Sequence, residues 1–228
     1  MKKYFYNFFL ILKNVKNYGL ITIFKACLIE LFYLIKFKDF KSYIYDESLT
    51  STYEQTKLEN TYNTQHTPTP YLFLKIASNF MAKEKINDFV IVDLGCGYGR
   101  VGDFFLNKFK CIFYGIEINK SFIDYLSLKK NKKDNYNVYN IDLKNKIKRD
   151  EIFHKIANHK KKIIIFISDP FDIFTIIEIL KYFKDLDHLI LGVNINQLER
   201  LYKDYQKKYL KTFNKGLRHI VLLKLKQL

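Results

Sequence analysis

The chain has 228 residues, a hydrophobic fraction of 48% and a formal net charge of +16. This length suits one domain with an appended segment, and the hydrophobic fraction is large enough for a core, which excludes a largely disordered chain. The positive charge is spread along the sequence, so we attribute it mainly to a codon bias towards lysine. An acidic partner is the alternative, with nucleic acid not excluded but not favoured.

The cysteines and the hydropathy pattern bear on where the protein works. Cys27, Cys96 and Cys111 form neither a CxxC pair nor a cysteine–histidine ligand spacing, so we expect no disulfide framework and no metal site. The longest uncharged stretch near the start, residues 4–12, is far shorter than the roughly 18–20 residues of a membrane span. These features predict a cytoplasmic protein, with peripheral attachment to a membrane left open.

Residues 1–41 are predicted to form two helices with a break at Tyr18-Gly19. Eight lysines and eleven aromatic residues are interleaved there, whereas Glu30 and Asp39 are the only acids. Such a segment suits an interfacial helix on a membrane, and it also suits a helical cap packed on the core or on a partner subunit. A polar stretch follows, so we divide the chain into an N-terminal extension, residues 1–67, and a domain, residues 68–228.

Predicted strands and helices alternate along the domain. After a helix that begins near Pro70, strands are predicted over residues 89–94, 111–117, 136–141, 162–167 and 188–193, and helices over residues 99–108, 121–130, 151–158, 172–183 and 197–205. This alternation predicts a doubly wound, mostly parallel α/β sheet. The last two strands, residues 209–213 and 219–225, are joined by too short a turn to be parallel. We therefore expect seven strands that end in an antiparallel hairpin.

The strongest chemical signal is the segment V-I-V-D-L-G-C-G-Y-G-R at residues 90–100, where a buried strand runs through three glycines into a helix. One register, G-x-G-x-x-G from Gly97, matches the dinucleotide fingerprint, with Glu117 at a suitable distance for a ribose-binding acid. The other register, D-x-G-x-G-x-G, begins at Asp93. A carboxylate at this point suits a ligand with an ammonium group and would repel a pyrophosphate.

The second register resembles the first motif of the class I S-adenosylmethionine-dependent methyltransferases, an apolar run followed by D-x-G-x-G-x-G. The resemblance covers about residues 62–225 and implies S-adenosyl-L-methionine as the cofactor. It assigns the methionine end of that cofactor to Asp93 and to the backbone of Gly95, Gly97 and Gly99.

Two later strand ends agree with this resemblance. Residues 112–119 are similar to the family's second strand, whose terminal acid, here Glu117, bonds both ribose hydroxyls. Ile118, next to that acid, is assigned to the same site. The family often places an acid after the third strand to accept from the adenine amino group, which implies that role for Asp142. A helix cap or a solvated loop acid is the alternative for Asp142.

The fourth predicted strand is followed by S-D-P-F at residues 168–171. This ending resembles the (D/N)-P-P-(F/Y) motif of amino-group methyltransferases, although it has one proline, and it is closer to the N-P-F ending of poorly characterised bacterial members. The resemblance implies that Asp169, Pro170 and Phe171 are the catalytic residues on the substrate side, with Asp169 accepting a hydrogen bond from the target nitrogen. Alternatively, Asp169 caps the following helix.

A further segment, H-T-P-T-P-Y at residues 66–71, is similar to the Y/H-x-P-T-P-Y segment of the same bacterial members. The resemblance places Thr67 and Tyr71 on the substrate side. A plain turn from a loop into a helix is the alternative.

These features together predict a methyltransferase whose acceptor the sequence does not identify, with a protein or small-molecule amine as the working hypothesis. Methyl transfer from a sulfonium requires proximity, orientation and a desolvated site rather than a metal. An NAD-dependent oxidoreductase and a non-catalytic cofactor-binding adaptor at a membrane surface are the alternatives.

Overall fold

The structure, a computed structural model, describes residues 20–39, 69–130, 134–168, 173–193, 205–213 and 218–225. The strands in this part of the chain are β1 (Asp88–Leu94), β2 (Lys110–Glu117), β3 (Tyr136–Asn140), β4 (Lys162–Ser168), β5 (His188–Val193), β6 (Tyr205–Phe213) and β7 (Arg218–Leu225). The helices are α1 (Leu20–Phe37), α2 (Tyr71–Lys83), α3 (Arg100–Lys108), α4 (Lys120–Lys130), α5 (Lys146–Ala157) and α6 (Ile173–Lys181).

The strands form one sheet in the order β3-β2-β1-β4-β5-β7-β6. Strands β1 to β5 are parallel, and β7 is antiparallel to both of its neighbours, β5 and β6. The predicted α/β class with a parallel sheet is confirmed. The strand order reverses between β1 and β4, and open α/β sheets bind their ligands at such a reversal, beyond the carboxyl ends of the strands.

Apolar side chains cover both faces of the sheet because most residues of its central strands are apolar. Residues 163–167 of β4 are all buried, as expected for a parallel strand packed on both faces. On one face, Phe89 and Ile91 of β1 pack with α1 to α4, and on the other, Val90 and Val92 pack with α5 and α6. Strand β1 is therefore enclosed on both faces by its neighbouring helices.

Helix α1 packs on the first of these faces. The ring of Tyr33 stacks on that of Tyr71 and meets the ring of Phe104 edge-on, each at a centroid separation of 5.1 Å. The helical prediction is thus confirmed for residues 20–37. No helix among the described residues is long and apolar enough to span a bilayer.

Other predictions for the N-terminal region fall on residues outside the described part of the chain, which omits residues 1–19 and 40–68. The helix break at Tyr18-Gly19 and the domain boundary after residue 67 lie there.

Two predicted elements differ from the structure by more than a short shift at one end. Helix α5 begins at Lys146 rather than at residue 151, because Asn145 caps it by accepting a hydrogen bond from the Lys148 amide at 3.3 Å. The first three residues of α5, 146–148, are exposed, so this end of the helix has no apolar period that would reveal it. Tyr205, predicted as the end of a helix, begins β6 and is buried with its hydroxyl 2.5 Å from His188 Nε2. Residues 194–204 lie outside the described part.

Candidate functional site

The candidate site is the loop of residues 95–99, which joins β1 to α3 where the strand order reverses. Its three glycines have φ of 78°, 48° and 73°, values that a residue with a Cβ adopts only with strain. The amides of Gly95 and Cys96 donate to the Ile116 carbonyl on β2 at 2.9 and 3.0 Å. The backbone path therefore requires the alternating glycines, and the loop is fixed to the neighbouring strand.

Two glycines in this region also permit close packing. A Cβ on Gly99 would overlap the Tyr136 hydroxyl and would lie 2.7 Å from Leu126 Cδ2. A Cβ on Gly102 would lie 2.8 Å from the ring of Phe113. Gly102, which completes the dinucleotide-like pattern, is thus explained by the packing of α3 on β2 and needs no bound pyrophosphate.

Glu117 ends β2 and turns its carboxylate towards the glycine loop. Its Oε2 accepts a hydrogen bond from the Gly97 amide and its Oε1 accepts one from the Asn119 amide, both at 2.9 Å. Burial raises the pKa of Glu117, while these backbone N–H groups act in the opposite direction. A carboxylate has about four lone-pair positions, so Glu117 holds the loop and keeps acceptor capacity. The Gly97 N–H, by contrast, already donates its hydrogen bond to the Glu117 carboxylate.

Asp93 lies on the adjacent strand, β1. Its neighbours Val92 and Leu94 face the core under α5 and α6, so Asp93 points to the opposite face, where its register partner on β2 is Gly115. Asp93 is 2% exposed, and its Oδ2 has no hydrogen-bond partner among the described residues. Burial, and then the nearby Glu117 carboxylate, raise the pKa of Asp93 well above its usual range. A cation beside Oδ2 would offset the cost of this burial.

Ile118 and Asp142 lie at the same edge of the sheet, after β2 and β3. Ile118 follows Glu117 directly and is 49% exposed. Asp142 is also exposed, and its Oδ1 accepts a hydrogen bond from the Lys144 amide at 2.9 Å. Because Asn145 caps α5, the helix-cap alternative for Asp142 is wrong. Asp142 is a loop acid that stabilises its own turn, and its role towards adenine stays a prediction.

Tyr71 does not lie on the substrate side, and that prediction is corrected. Tyr71 is fully buried; its hydroxyl donates to Asp39 Oδ2 at 2.9 Å, and its amide donates to Glu30 Oε2 at 2.7 Å. The guanidinium of Arg100 lies over the ring, 4.4 Å from its centroid. A side chain enclosed in this way cannot contact a substrate, so Tyr71 has a structural role. Thr67 lies outside the described residues.

Arg100, the first residue of α3, joins the glycine loop to the N-terminal helix. Its Nε donates to Asp39 Oδ2 at 2.8 Å, and its Nη1 donates to Glu30 Oε1 at 2.5 Å and to the Thr69 carbonyl at 3.0 Å. We call Arg100, Glu30, Asp39 and Tyr71 the Arg100 cluster. The sequence prediction did not include it, although a signal was present: Glu30 and Asp39 are the only acids of residues 1–41, and an arginine directly follows the last glycine of the loop.

The predicted catalytic residues, Asp169, Pro170 and Phe171, lie outside the described residues. The preceding strand β4 ends at Ser168 and is parallel to β1, so the chain leaves β4 at the same edge of the sheet as the glycine loop. In the part of the chain that is described, no three His, Cys, Asp or Glu side chains are grouped as a metal ion would require.

Comparisons with known proteins give a likeness of fold. No protein-family model and no curated protein sequence matches the chain. Among solved structures, M. capricolum TrmK in complex with S-adenosyl-homocysteine is 16% identical with a TM-score of 0.45, over 70% of each chain.

Two further solved structures show the same degree of likeness. Precorrin-6y C5,15-methyltransferase from Geobacter metallireducens GS-15 is 13% identical with a TM-score of 0.47, over 74% of this chain and 95% of that chain. Ribosomal protein L11 methylase from Lactobacillus delbrueckii subsp. bulgaricus is 10% identical with a TM-score of 0.46, over 70% of this chain and 81% of that chain. Because these values are low, the function has to be inferred from the chain's own residues.

Proposed function

We propose that this chain is a class I S-adenosylmethionine-dependent methyltransferase. The observation that carries the proposal is the buried Oδ2 of Asp93, which has no hydrogen-bond partner among the described residues and lies where the strand order reverses. An ammonium group of a ligand would pair with this oxygen and remove the cost of its burial. The amino-acid part of S-adenosylmethionine presents such a group.

The charge of the site favours this cofactor over a dinucleotide. Asp93 and Glu117 are both buried carboxylates, and their mutual repulsion contributes to the raised pKa of Asp93. A pyrophosphate would add negative charge here, whereas S-adenosylmethionine, with an ammonium, a sulfonium and a single carboxylate, adds net positive charge. The Gly97 amide donates to Glu117, whereas in a dinucleotide-binding loop such amides donate to phosphate oxygens.

The other residues at this edge of the sheet suit the remaining parts of the cofactor. Glu117 would accept hydrogen bonds from the ribose hydroxyls with its remaining lone pairs. The exposed apolar side chain of Ile118 would pack on the adenine ring, and Asp142 would accept from the adenine amino group. When bound, S-adenosylmethionine supplies an activated methyl group. The contribution of the chain is to orient the acceptor and to exclude water.

The acceptor is proposed to be an amine of a protein or of a small molecule. This part of the proposal rests on Asp169, Pro170 and Phe171, which follow β4 directly in the sequence. Asp169 would accept a hydrogen bond from the target nitrogen, and Phe171 would stack on the substrate.

Isothermal titration tests the cofactor and the role of Asp93 together. We expect S-adenosylmethionine, and not NAD, to bind the wild-type protein. Asp93→Asn should weaken that binding by about 10- to 100-fold, because it removes a charge-assisted hydrogen bond worth about 1.5–3 kcal/mol. The matched control is Asp88→Asn, the same change at the exposed opposite end of β1, where Asp88 pairs with Lys161 at 2.7 Å. It should leave the affinity unchanged.

Two results would contradict the proposal. Tighter binding of NAD than of S-adenosylmethionine would favour an oxidoreductase. Equal affinities of Asp93→Asn and Asp88→Asn for S-adenosylmethionine would mean that Asp93 does not bind the cofactor. Formation of S-adenosylhomocysteine in a cell extract then separates an enzyme from an adaptor that binds the cofactor without turnover.

A further inference from the structure

Helix α1 presents an apolar stripe to the outside of the protein. Within the described part of this helix, six large apolar side chains are each more than half exposed: Ile21, Phe24, Leu28, Leu31, Phe32 and Ile35. Their helical spacing places them on one side of α1. We call these six residues the α1 stripe. Contiguous exposed apolar patches are uncommon on monomeric proteins and mark sites of interaction.

The inner side of α1 is fixed to the domain, so the helix cannot turn the α1 stripe into the core. Tyr33 and Phe37 both stack on Tyr71, and Glu30 is paired with Arg100. Rotation of α1 would break these contacts and would separate the buried Arg100 guanidinium from the Glu30 carboxylate, at a large cost in free energy. The Arg100 cluster therefore keeps the α1 stripe facing outward.

The charges of residues 20–39 are sorted between the two sides of α1. Both acids, Glu30 and Asp39, face inward and pair with Arg100. All three lysines of this range are exposed: Lys25, Lys36 and Lys38. The solvent side of this range thus combines an apolar centre with charges that are all positive.

We propose that the α1 stripe docks on the surface of an anionic lipid bilayer, with α1 lying in the plane of the interface. Lys25 and Lys36 directly follow Phe24 and Ile35, so by the 3.6-residue repeat they lie at the margin of the stripe. From there their ammonium groups reach lipid phosphates while the apolar side chains enter the acyl boundary. A nucleic acid would match the lysines but would leave the apolar stripe in water.

Single-tryptophan variants of the full chain test this contact directly, because the sequence contains no tryptophan. Phe24→Trp reports from the α1 stripe, and Ile147→Trp reports from an exposed apolar position on α5, which packs on the other face of the sheet. With vesicles of phosphatidylcholine and phosphatidylglycerol, we expect the emission of Phe24→Trp to shift to shorter wavelength and that of Ile147→Trp to stay unchanged. Phosphatidylcholine alone should give a smaller shift, since the lysines then have no net anionic surface to meet.

Vesicle sedimentation of two further variants measures the strength of binding. Phe24→Gln combined with Phe32→Gln should lower the partition into phosphatidylglycerol vesicles by about tenfold or more, since two large apolar side chains no longer leave water. Leu128→Gln combined with Ile147→Gln, which changes two exposed apolar residues on α4 and α5, should pellet like the wild type. Circular dichroism shows whether each variant is folded.

Several outcomes would overturn the proposal. One is unchanged emission of Phe24→Trp with anionic vesicles, and another is equal pelleting of the stripe variant and the wild type. Short-wavelength emission before vesicles are added would mean that the stripe is already covered. Light scattering would then identify the cover as a second copy if the protein is a dimer, and as another segment of this chain if it is a monomer.

Discussion

The carboxylate of Asp93 is buried among apolar neighbours, which we expect to destabilise the protein when no cation is bound beside it. Val92 and Leu94 on either side of it are almost fully buried, and β1 is enclosed on both faces. An apolar side chain would be favoured at such a position, because a buried charge lowers the stability of the fold unless it is paired or neutralised by a proton. We therefore expect the stability of the ligand-free protein to depend on the protonation of Asp93.

The raised pKa of Asp93 sets the direction of this pH dependence. The unfolded carboxyl has a pKa of about 4, and the folded protein holds the proton to a higher pH. The contribution of Asp93 to stability is therefore fully present below the unfolded pKa and is lost as pH rises through the folded-state pKa. In urea unfolding from about pH 4 upward, the wild type should lose stability relative to Asp93→Asn.

Asp88 provides a control with the opposite sign. A hydrogen bond from Lys161 is the main cause that lowers the pKa of Asp88, so its contribution is present above the unfolded pKa and is lost as pH falls through the folded-state value. The stability of Asp88→Asn relative to the wild type should therefore increase only towards acid pH. If the free energies of unfolding of the wild type and of Asp93→Asn changed with pH in parallel, ionisation of Asp93 would not destabilise the folded protein.

Asp169 carries the amine hypothesis, and its mutation separates catalysis from stability. If Asp169 orients the acceptor, Asp169→Ala should lower turnover by about 10²–10⁴-fold and leave cofactor affinity and Tm nearly unchanged. Asp172→Ala is the control, because Asp172 directly precedes α6 and is expected to cap it. It should lower Tm and spare turnover. A lower Tm with normal turnover per folded molecule in Asp169→Ala would instead assign the capping role to Asp169.

At the scale of secondary-structure elements, the Arg100 cluster fastens α1 to α2 and α3. Arg100 begins α3, Tyr71 begins α2, and Glu30 lies on α1. Glu30 and Asp39, which pair with Arg100, lie at low exposure, so water does little to screen these two pairs. The first residue of α3 is thus bound by side chains of the N-terminal extension as well as by residues of the domain.

Removal of the guanidinium should destabilise the protein strongly. We expect Arg100→Met to lower the free energy of unfolding by about 3–5 kcal/mol, because two poorly exposed carboxylates lose their cation. For a chain of this length that corresponds to a fall in Tm of roughly 6–20 °C. The triple variant Glu30→Gln, Asp39→Asn, Arg100→Met should recover part of the loss, since the charges of Glu30 and Asp39 are then removed together with that of Arg100.

A surface pair serves as the control for this experiment. Lys120→Met breaks the exposed Lys120–Asp124 pair, whose atoms are 2.7 Å apart, and should hardly change Tm. If Arg100→Met melted like Lys120→Met, the Arg100 cluster would contribute little to holding α1.

At the scale of the whole molecule, the sheet could be predicted because each of its central strands corresponds to a short apolar run in the sequence. The apolar runs predicted at residues 89–94 and 162–167 each differ from the observed β1 and β4 by one residue, and β5 spans His188–Val193 as predicted. The glycine spacing located the loop because three alternating positive φ values strongly favour glycine at each position.

Contacts between distant segments could not be predicted from these local signals. Glu30 and Asp39 have no periodic pattern that would link them to Arg100, 70 and 61 residues away. The Pro-Thr-Pro segment before Tyr71 indicates a turn but not the burial of the next side chain. Asp93 Oδ2 has no hydrogen-bond partner within the described part of the chain, and this depends on how two strands and a loop pack around it, which the sequence pattern does not specify.

The long separations within the Arg100 cluster have a consequence for protein synthesis. Glu30 is made 70 residues before Arg100, which corresponds to about 4–14 s at roughly 5–20 residues per second. During this interval the inner side of α1 does not have its final surroundings: it lacks α3 throughout and lacks α2 until residues 71–83 have been made. Chaperones or a nearby bilayer therefore meet this helix before the rest of the domain exists. The apolar helix α1 is therefore made first, and its inner side is covered only after α2 and α3 have been made.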